Sequence, residues 1–414
     1  EHGLRNPGQL QRDLLTLRNA GVRGVMTDVW WGLTEPTARK YNFTAYKDLA
    51  AMCQNTGLKL QVVMSFHRCG GNVGDTCNIS LPSFVGEVGR RNSDIYYKDN
   101  DGRSDEEYIT LGADNQALFG GRTPLDMYAD FMNAFAAAMN NELGSVIDGV
   151  SVGLGPASEL RYPGYQSDKG WKYCGVGEFQ ANDKYMRAAL ASAAQTAGHS
   201  EWGYAQPNNA GSWNSRPYNT GFFSSNGFDN YASDYGRFFL GWYSEMLMQH
   251  GDDVLSRAKK AFGNKKVELA VKVSGIHWWY GDNSHAAELT SGYYNTNNND
   301  AYYTIAQRIS KYADVFDFTC LEMTDSGNDC GSKPATLVQQ AMTATQRAGL
   351  KFDGENALEL CTNNCDQNGF NQIVAQASKG AMAHFTYLRL TRNLLDNVNN
   401  LNVFTNFVSK MASI

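Results

Sequence analysis

The chain has 414 residues, 42% hydrophobic and 19% charged, with 36 Lys/Arg against 42 Asp/Glu and a formal net charge of −6. That is enough apolar material for a large buried core, and no block of basic residues offers an electrostatic footprint for nucleic acid. No apolar run approaches the roughly 20 residues of a membrane span, and the opening residues do not form a signal peptide, so any export signal would lie outside this sequence.

Strand-like and helix-like segments alternate along the chain. Leu10, Leu14 and Leu17 stand at helical spacing ahead of Gly21, and Val22 to Trp31 is the short apolar run of a buried parallel strand. Phe43 to Cys53 reads as helix and Leu60 to Phe66 as strand. Thr123 followed by Pro124 is an N-cap with proline at the first helical position, and Tyr128, Phe131, Met132, Phe135 and Met139 share one face behind it. Val146 to Leu154 reads as strand, Phe179 to Thr196 as helix, and 201–234 as an aromatic, Asn/Gly-rich loop. Phe238, Phe239, Trp242, Tyr243, Met246 and Leu247 form a helical face, and Val267, Leu269, Val271 and Val273 alternate as a strand. Ile305, Ala306 and Ile309 are helical, Val315 to Met323 a strand, and Leu337, Val338, Ala341 and Met342 helical again. Lys351 to Leu358 and Met382 to Leu390 are the last strands, and a helix near Val403 to Met411 closes the chain.

Repeated strand–helix units imply parallel strands joined by right-handed crossovers. The reading finds seven strands and one helix ahead of the first, whereas a closed (β/α)8 barrel needs eight. The expected fold is therefore a (β/α)8 TIM barrel with long loops after its strands, its first strand apparently missing from this sequence. An open doubly wound sheet is the alternative. No linker or repeat divides residues 1–414, so a single catalytic domain is expected.

In such a barrel, function lies where the strands end. The polar residues there are Asp28, His67, Glu159, Lys272 with His277, Thr319 with Glu322, Glu355 with Asn356, and Arg389. Lys272 lies between Val271 and Val273, so alternation turns it away from the helices and into the barrel; the same reasoning is extended to Arg389, two residues past Tyr387. Two carboxylates are the minimum for glycoside hydrolysis, one protonated and one ionised. Periodicity alone does not choose Glu159 and Glu355 over Glu322 or Asp28. Trp30, Trp31, Trp278, Trp279, Tyr162 and Tyr165 lie beside strand ends, where aromatic faces stack on sugar rings, although core packing claims some of them. The glycine-rich loop 69–77 carries Asp75 near its tip and suits a lid; with no Lys or helix start after it, it is not a phosphate loop. Asp99, Asp101, Asp105 and Glu106 read as a solvated acidic turn, without the glycine of a calcium loop.

Of the eight cysteines, Cys69/Cys77 and Cys361/Cys365 are either short disulfides of an oxidising compartment or free thiols of a reducing one. Zinc is disfavoured, because no second Cys/His pair stands at ligand spacing. Asn42 and Asn78 open glycosylation acceptor patterns, which also arise by chance.

At these residues the sequence resembles the β-amylases, a family of inverting, exo-acting glucan hydrolases. The matching stretches are 24–32 (GVMTDVWWG), 64–75 (MSFHRCGGNVGD), 152–163 (VGLGPASELRYP), 272–280 (KVSGIHWWY), 318–323 (FTCLEM), 354–358 (GENAL) and 385–390 (FTYLRL), in the family's order. The resemblance implies Glu159 as general acid and Glu355 as the general base that activates water. It further implies Asp28, His67, Asp75, Lys272, Thr319, Asn356 and Arg389 as groups that grip the sugars, with His277 nearby and Ala157 and Ala357 as further substrate positions. Residues 70–75 then correspond to a mobile flap and the Thr319 segment to an inner loop. The reaction implied is release of β-maltose from the non-reducing ends of starch and maltooligosaccharides. No cofactor, catalytic metal, nucleic-acid or membrane partner is implied; a structural calcium stays open. A monomer is expected, as is secretion, with an intracellular location as the alternative.

Three departures stand out. The family's first strand is absent, Ser158 replaces the glycine of plant members, and Glu359-Leu360-Cys361 replaces Pro-Arg-Tyr beyond the base. The Cys69/Cys77 bracket is more like that of microbial secreted members, some of which carry a starch-binding module that this sequence lacks. The rival readings are a catalytically silent glucan binder, which would be expected to lose a carboxylate or the flap, and a retaining barrel glycosidase. Retention needs carboxyl groups about 5–5.5 Å apart, inversion about 6.5–9.5 Å.

Overall fold

The computed structural model describes residues 3–414 apart from 328 and 381. Seven parallel strands form one curled sheet: β1 (Gly24–Trp30), β2 (Lys59–Ser65), β3 (Ile147–Val152), β4 (Glu268–Val273), β5 (Val315–Phe318), β6 (Lys351–Glu355) and β7 (Met382–Thr386). Their spatial order equals their chain order. A doubly wound sheet reverses direction at a switch point, so this arrangement is that of a barrel. The strand and helix assignments agree with the periodicity, except that the helix read from Phe179 begins only at Lys184, after the Asp183 cap, and the strands end sooner than the apolar runs do. β5 stops at Phe318 rather than Met323, and β7 at Thr386 rather than Leu390, because the chain leaves the sheet there to build the mouth.

The principal helices are α1 (Pro7–Asn19), α2 (Thr44–Thr56), α3 (Pro124–Ala138), α4 (Lys184–Thr196), α5 (Asp234–Phe262), α6 (Ala301–Ile309), α7 (Pro334–Ala348), α8 (Gln367–Ala377) and α9 (Val398–Met411). α1 packs on α2, α3 on α5, and α5 through α9 each on the next. α3 begins as its sequence predicts: Thr123 and Asp126 form a reciprocal capping box with Pro124 behind the cap. On β4 the alternation holds, Leu269, Val271 and Val273 lying in the core.

Among the described residues, the outer edges of β1 and β7 do not pair with each other. A cavity of about 1620 Å³ opens at the strands' C-terminal ends and continues down this seam to Leu17, Val25, Phe407 and Met411. An antiparallel hairpin, Tyr96–Lys98 with Ser104–Ile109, stands above the sheet. It corrects the reading of the acidic turn. Asp99 and Asp105 are buried, Asp99 accepting hydrogen bonds from Arg103 Nε at 2.9 Å and Trp213 Nε1 at 3.2 Å, while Asp101 stays exposed. Alternation along the hairpin strand turns Asp105 and Glu107 inward and Glu106 outward.

Three disulfides are present. Cys69–Cys77 and Cys361–Cys365 are those suggested by spacing; the third, Cys174–Cys330, joins positions 156 apart. Cys53 and Cys320 are free and buried.

Candidate active site

Eleven of the twelve site residues named from sequence line the one cavity: Asp28, His67, Asp75, Ala157, Glu159, Lys272, His277, Thr319, Glu355, Ala357 and Arg389. Asn356 does not. It is fully buried; its amide donates to the carbonyls of Leu358 and Leu388 and accepts from Leu388 N at 2.8 Å. Its side chain thus braces the chain after β6 against the chain after β7.

Glu159 follows the turn that leaves β3. A side chain on Gly153 would stand 2.2 Å from the Met64 carbonyl oxygen, so only glycine lets this turn press against β2. Ala157 and Ser158 then adopt left-handed φ values of 53° and 63°, unusual for residues with a Cβ. The chain returns to the sheet at Glu159, where Leu160 N donates to Lys272 O at 2.9 Å. Buried Arg161 donates through Nε to Glu159 Oε2 at 2.6 Å, and its guanidinium covers the Tyr165 ring at 4.2 Å.

Glu355 ends β6, and its partner is Lys272. The ammonium touches Glu355 Oε1 and donates to Asp317 Oδ2 at 3.2 Å. Lys272 and Asp317 are register neighbours, as are Asp317 and Asp353, so an inward-facing charged row crosses β4, β5 and β6. Burial first, and Asp317 second, push Glu355 above the ordinary carboxylate range, with Lys272 pulling the other way. Burial also opposes the charge on Lys272, but its two carboxylate partners outweigh it and raise its pKa. Glu322, the competing carboxylate, is otherwise engaged: it accepts from Ala357 N at 3.0 Å and Leu358 N at 2.7 Å, holding the backbone beyond the base.

Asp28 accepts from Ser65 Oγ at 2.6 Å, and its pKa is raised by burial against the pull of Ser65, Lys272 and Arg389. His67 contacts Ser158 Oγ through Nδ1 at 3.2 Å, and burial with the Arg161 charge pushes its pKa down to about 3. Burial lowers His277 to about 4, its Nδ1 lying 2.7 Å from Ser332 Oγ. Both rings are neutral hydrogen-bonding groups at ordinary pH. The alternation argument does not reach Arg389: Tyr387 packs outward on Phe370 and Phe404, β7 has already ended, and Arg389 enters the mouth from the loop.

The flap is tied at its base and turned in on itself at its tip. Gly71 O accepts from Ser167 Oγ at 2.7 Å and Asp168 N at 3.2 Å, and Arg68 pairs with Asp168 at 2.6 Å. Asp75 Oδ2 accepts from the flap amides of Gly70 and Asn72 at 2.8 and 3.0 Å.

The aromatics divide. Trp30, Tyr165, Trp171, Tyr173 and Trp278 line the cavity. Trp31, Tyr162 and Trp279, offered as sugar platforms, are core: Trp31 sits edge-on to Phe66 and Tyr128, Tyr162 stacks on Tyr243 at 3.8 Å, and Trp279 Nε1 donates to Cys174 O.

Sequence reasoning assigned no role to Arg161, Asp317 or Glu107. Asp317 had a usable signal, a lone charge between Phe316 and Phe318 on a strand. Glu107 is buried and accepts from Asn72 Nδ2, Gln166 Nε2 and Ala157 N; burial and then Asp105 push it up to about 8. Among the described residues no group of three or more His, Cys, Asp or Glu is arranged to hold a metal ion, and no helix is long and apolar enough to cross a membrane.

A curled parallel sheet with buried carboxylates and cavity-lining aromatics at its C-terminal mouth defines a barrel glycoside hydrolase. The sequence model described as glycosyl hydrolase family 14 matches residues 2–414. The chain is 47% identical to a β-amylase of Vigna unguiculata over 420 residues, covering 98% of this chain and 83% of that one. It is also 47% identical to a β-amylase of Glycine max over 421 residues, with the same coverage. The crystal structure of the catalytic domain of the Paenibacillus polymyxa β-amylase superposes with a TM-score of 0.81 at 31% identity, covering 99% of this chain and 96% of that one. The chain belongs to glycosyl hydrolase family 14, the family of the β-amylases. Its identity to the two plant enzymes, 47%, exceeds the 31% to the bacterial one, against the microbial grouping that the Cys69/Cys77 bracket suggested.

Proposed function

We propose that the chain cleaves the α-1,4 links of starch and maltooligosaccharides two glucose units at a time from the non-reducing end, with inversion, releasing β-maltose. The observation that carries this reading is the pair Glu159 and Glu355, one joined to Lys272 through the backbone and one through its side chain, both facing the same cavity. Glu159 is the general acid. Arg161 holds one of its oxygens, and the other delivers a proton to the glycosidic oxygen as the C1–O bond breaks. Glu355 is the general base: its raised pKa makes it a stronger base than an exposed glutamate, and the Lys272 ammonium in contact with it favours the ionised form that the reaction uses. It takes a proton from a water that attacks C1 from the opposite face. Inversion needs room for that water, so the reading requires the two carboxyl groups to stand about 6.5–9.5 Å apart.

The remaining cavity residues bind the two sugars on either side of the cut. Asp28, His67, Lys272 and Arg389 supply hydrogen bonds, and the cavity-lining aromatics supply stacking faces. Exo action requires a mouth closed at one end; the flap backbone at Gly74 stands close to Arg389, which brings the loop after β2 near the loop after β7. Three disulfides favour an oxidising compartment, in keeping with secretion. The test is digestion of maltoheptaose blocked at its reducing end. Maltose as the first and only small product supports the reading; mixed oligosaccharides from internal cuts, or no product from folded protein, overturn it.

A further inference from the structure

A fully enclosed carboxylate behind the cavity wall is one the reaction does not use. Glu107 lies on the hairpin strand Ser104–Ile109 and is 1% exposed. Its Oε1 accepts from Asn72 Nδ2 and from Ala157 N, the latter at 2.8 Å, and its Oε2 accepts from Gln166 Nε2. These donors belong to three loops: the flap, the turn before Glu159 and the loop after Tyr165. Asn72 Oδ1 in turn accepts from Arg161 Nη2 at 3.3 Å, and Arg161 Nε holds Glu159 at 2.6 Å. Glu107 therefore touches the acid's support from two sides, through the backbone of Ala157 and through Asn72 and Arg161.

The turn it supports is strained. Two successive residues with side chains, Ala157 and Ser158, are left-handed. Such conformations are unfavourable for residues with a Cβ and persist only where the surroundings over-determine them. The amide of the first is fixed by Glu107. Hydrogen bonds to a buried carboxylate are among the stronger ones, and losing the acceptor leaves its donors unpaired.

We propose that Glu107 is a positioning residue that holds the flap base and the strained turn in register, so that Glu159 is aimed at the leaving oxygen. This rests on the reading of Glu159 as the acid. Glu107 does not touch substrate; it acts through Ala157 and through the Asn72–Arg161 pair.

The test uses two substrates that differ in their need for an acid. Maltoheptaose has a leaving oxygen that must be protonated, whereas α-maltosyl fluoride releases fluoride without protonation. Glu159→Gln is the reference and loses far more activity on maltoheptaose than on the fluoride. Glu107→Gln keeps the side-chain volume but places an amide NH2 against one of the donors. Its kcat on maltoheptaose falls about 10–100-fold, the scale of a small misplacement of a catalytic group, and its kcat on the fluoride less than about 3-fold. Asn72→Ala, at the partly exposed end of the same chain of bonds and little able to unfold the core, shows the same preference at a smaller size, about 3–10-fold. Equal losses on both substrates in either variant, or no loss in Glu107→Gln, overturn the inference while leaving the acid in place. If Glu159→Gln itself loses both substrates equally, the acid assignment fails and this inference with it.

Discussion

Two sides of the same cavity hold their carboxylates by different means. Glu355 ends a strand, and its partners are Asp317 on the neighbouring strand and Lys272 on the next one over, at positions fixed by backbone register. Glu159 lies beyond its strand, after a turn with two left-handed residues, supported by Arg161 of the same segment, Asn72 of the flap and Glu107 of the hairpin. A base that must present one oxygen to a water gains from a rigid seat. An acid that must reach a leaving oxygen after the flap has admitted the sugar gains from a seat joined to that flap. The strand side is secured by the fold, and the loop side by a chain of polar contacts.

The largest test of that contrast removes each carboxylate. Glu159→Gln and Glu355→Gln each lower kcat on maltoheptaose by about 10²–10⁴-fold, measured by maltose release with the fold checked by circular dichroism. Equal activity in either variant would break the pairing of roles. Next comes Lys272→Met, which leaves Glu355 and Asp317 buried without their counter-charge. Removing one partner of a buried pair costs roughly 3–5 kcal/mol, read from urea unfolding. The base works only when ionised, and without the ammonium its pKa rises further, so the acidic limb of kcat/KM moves to higher pH.

A smaller effect separates the neutral histidines from the charged row. His67 and His277 have folded pKa values of about 3 and about 4, below the unfolded value. The stability they contribute is present above pH ~6.5 and is lost as pH falls toward those values, because only the unfolded chain takes up the protons. Unfolding free energy therefore drops with acid by up to about 1.4 kcal/mol per pH unit per histidine, and the drop is shallower in a His67→Gln/His277→Gln variant. The smallest effect is at the flap. Asp168→Ala removes the partly exposed pair with Arg68 that steadies the flap base, and raises KM about 2–5-fold with kcat little changed, in line with about 0.5–1 kcal/mol for such a pair.

The strand side was the legible side. Lys272 announced itself as a charge between two valines on an alternating strand, and the same pattern around Asp317 was open to reading. Strand–helix alternation implied parallel strands, whereas their spatial order, which separates a barrel from a doubly wound sheet, came from the structure. The loop side was opaque for physical reasons. Asp105, Glu106 and Glu107 in a row look like a surface turn until a hairpin assigns alternate residues to opposite faces. Arg161 sat inside a matching stretch, but nothing local shows that it folds back onto Glu159. Trp31, Tyr162 and Trp279 are indistinguishable by composition from the aromatics that line the cavity. The Cys174–Cys330 bond spans 156 positions, and spacing carries no information about such a pairing.

In the proposed reaction a water reaches C1 from the side opposite the leaving group, activated by Glu355 while Glu159 protonates the departing oxygen. Proton NMR of the product anomer in the first minutes of maltoheptaose hydrolysis tests it most directly. β-Maltose is expected to appear first and then to mutarotate toward equilibrium; α-maltose as the initial product would mean retention and would overturn these roles for Glu159 and Glu355.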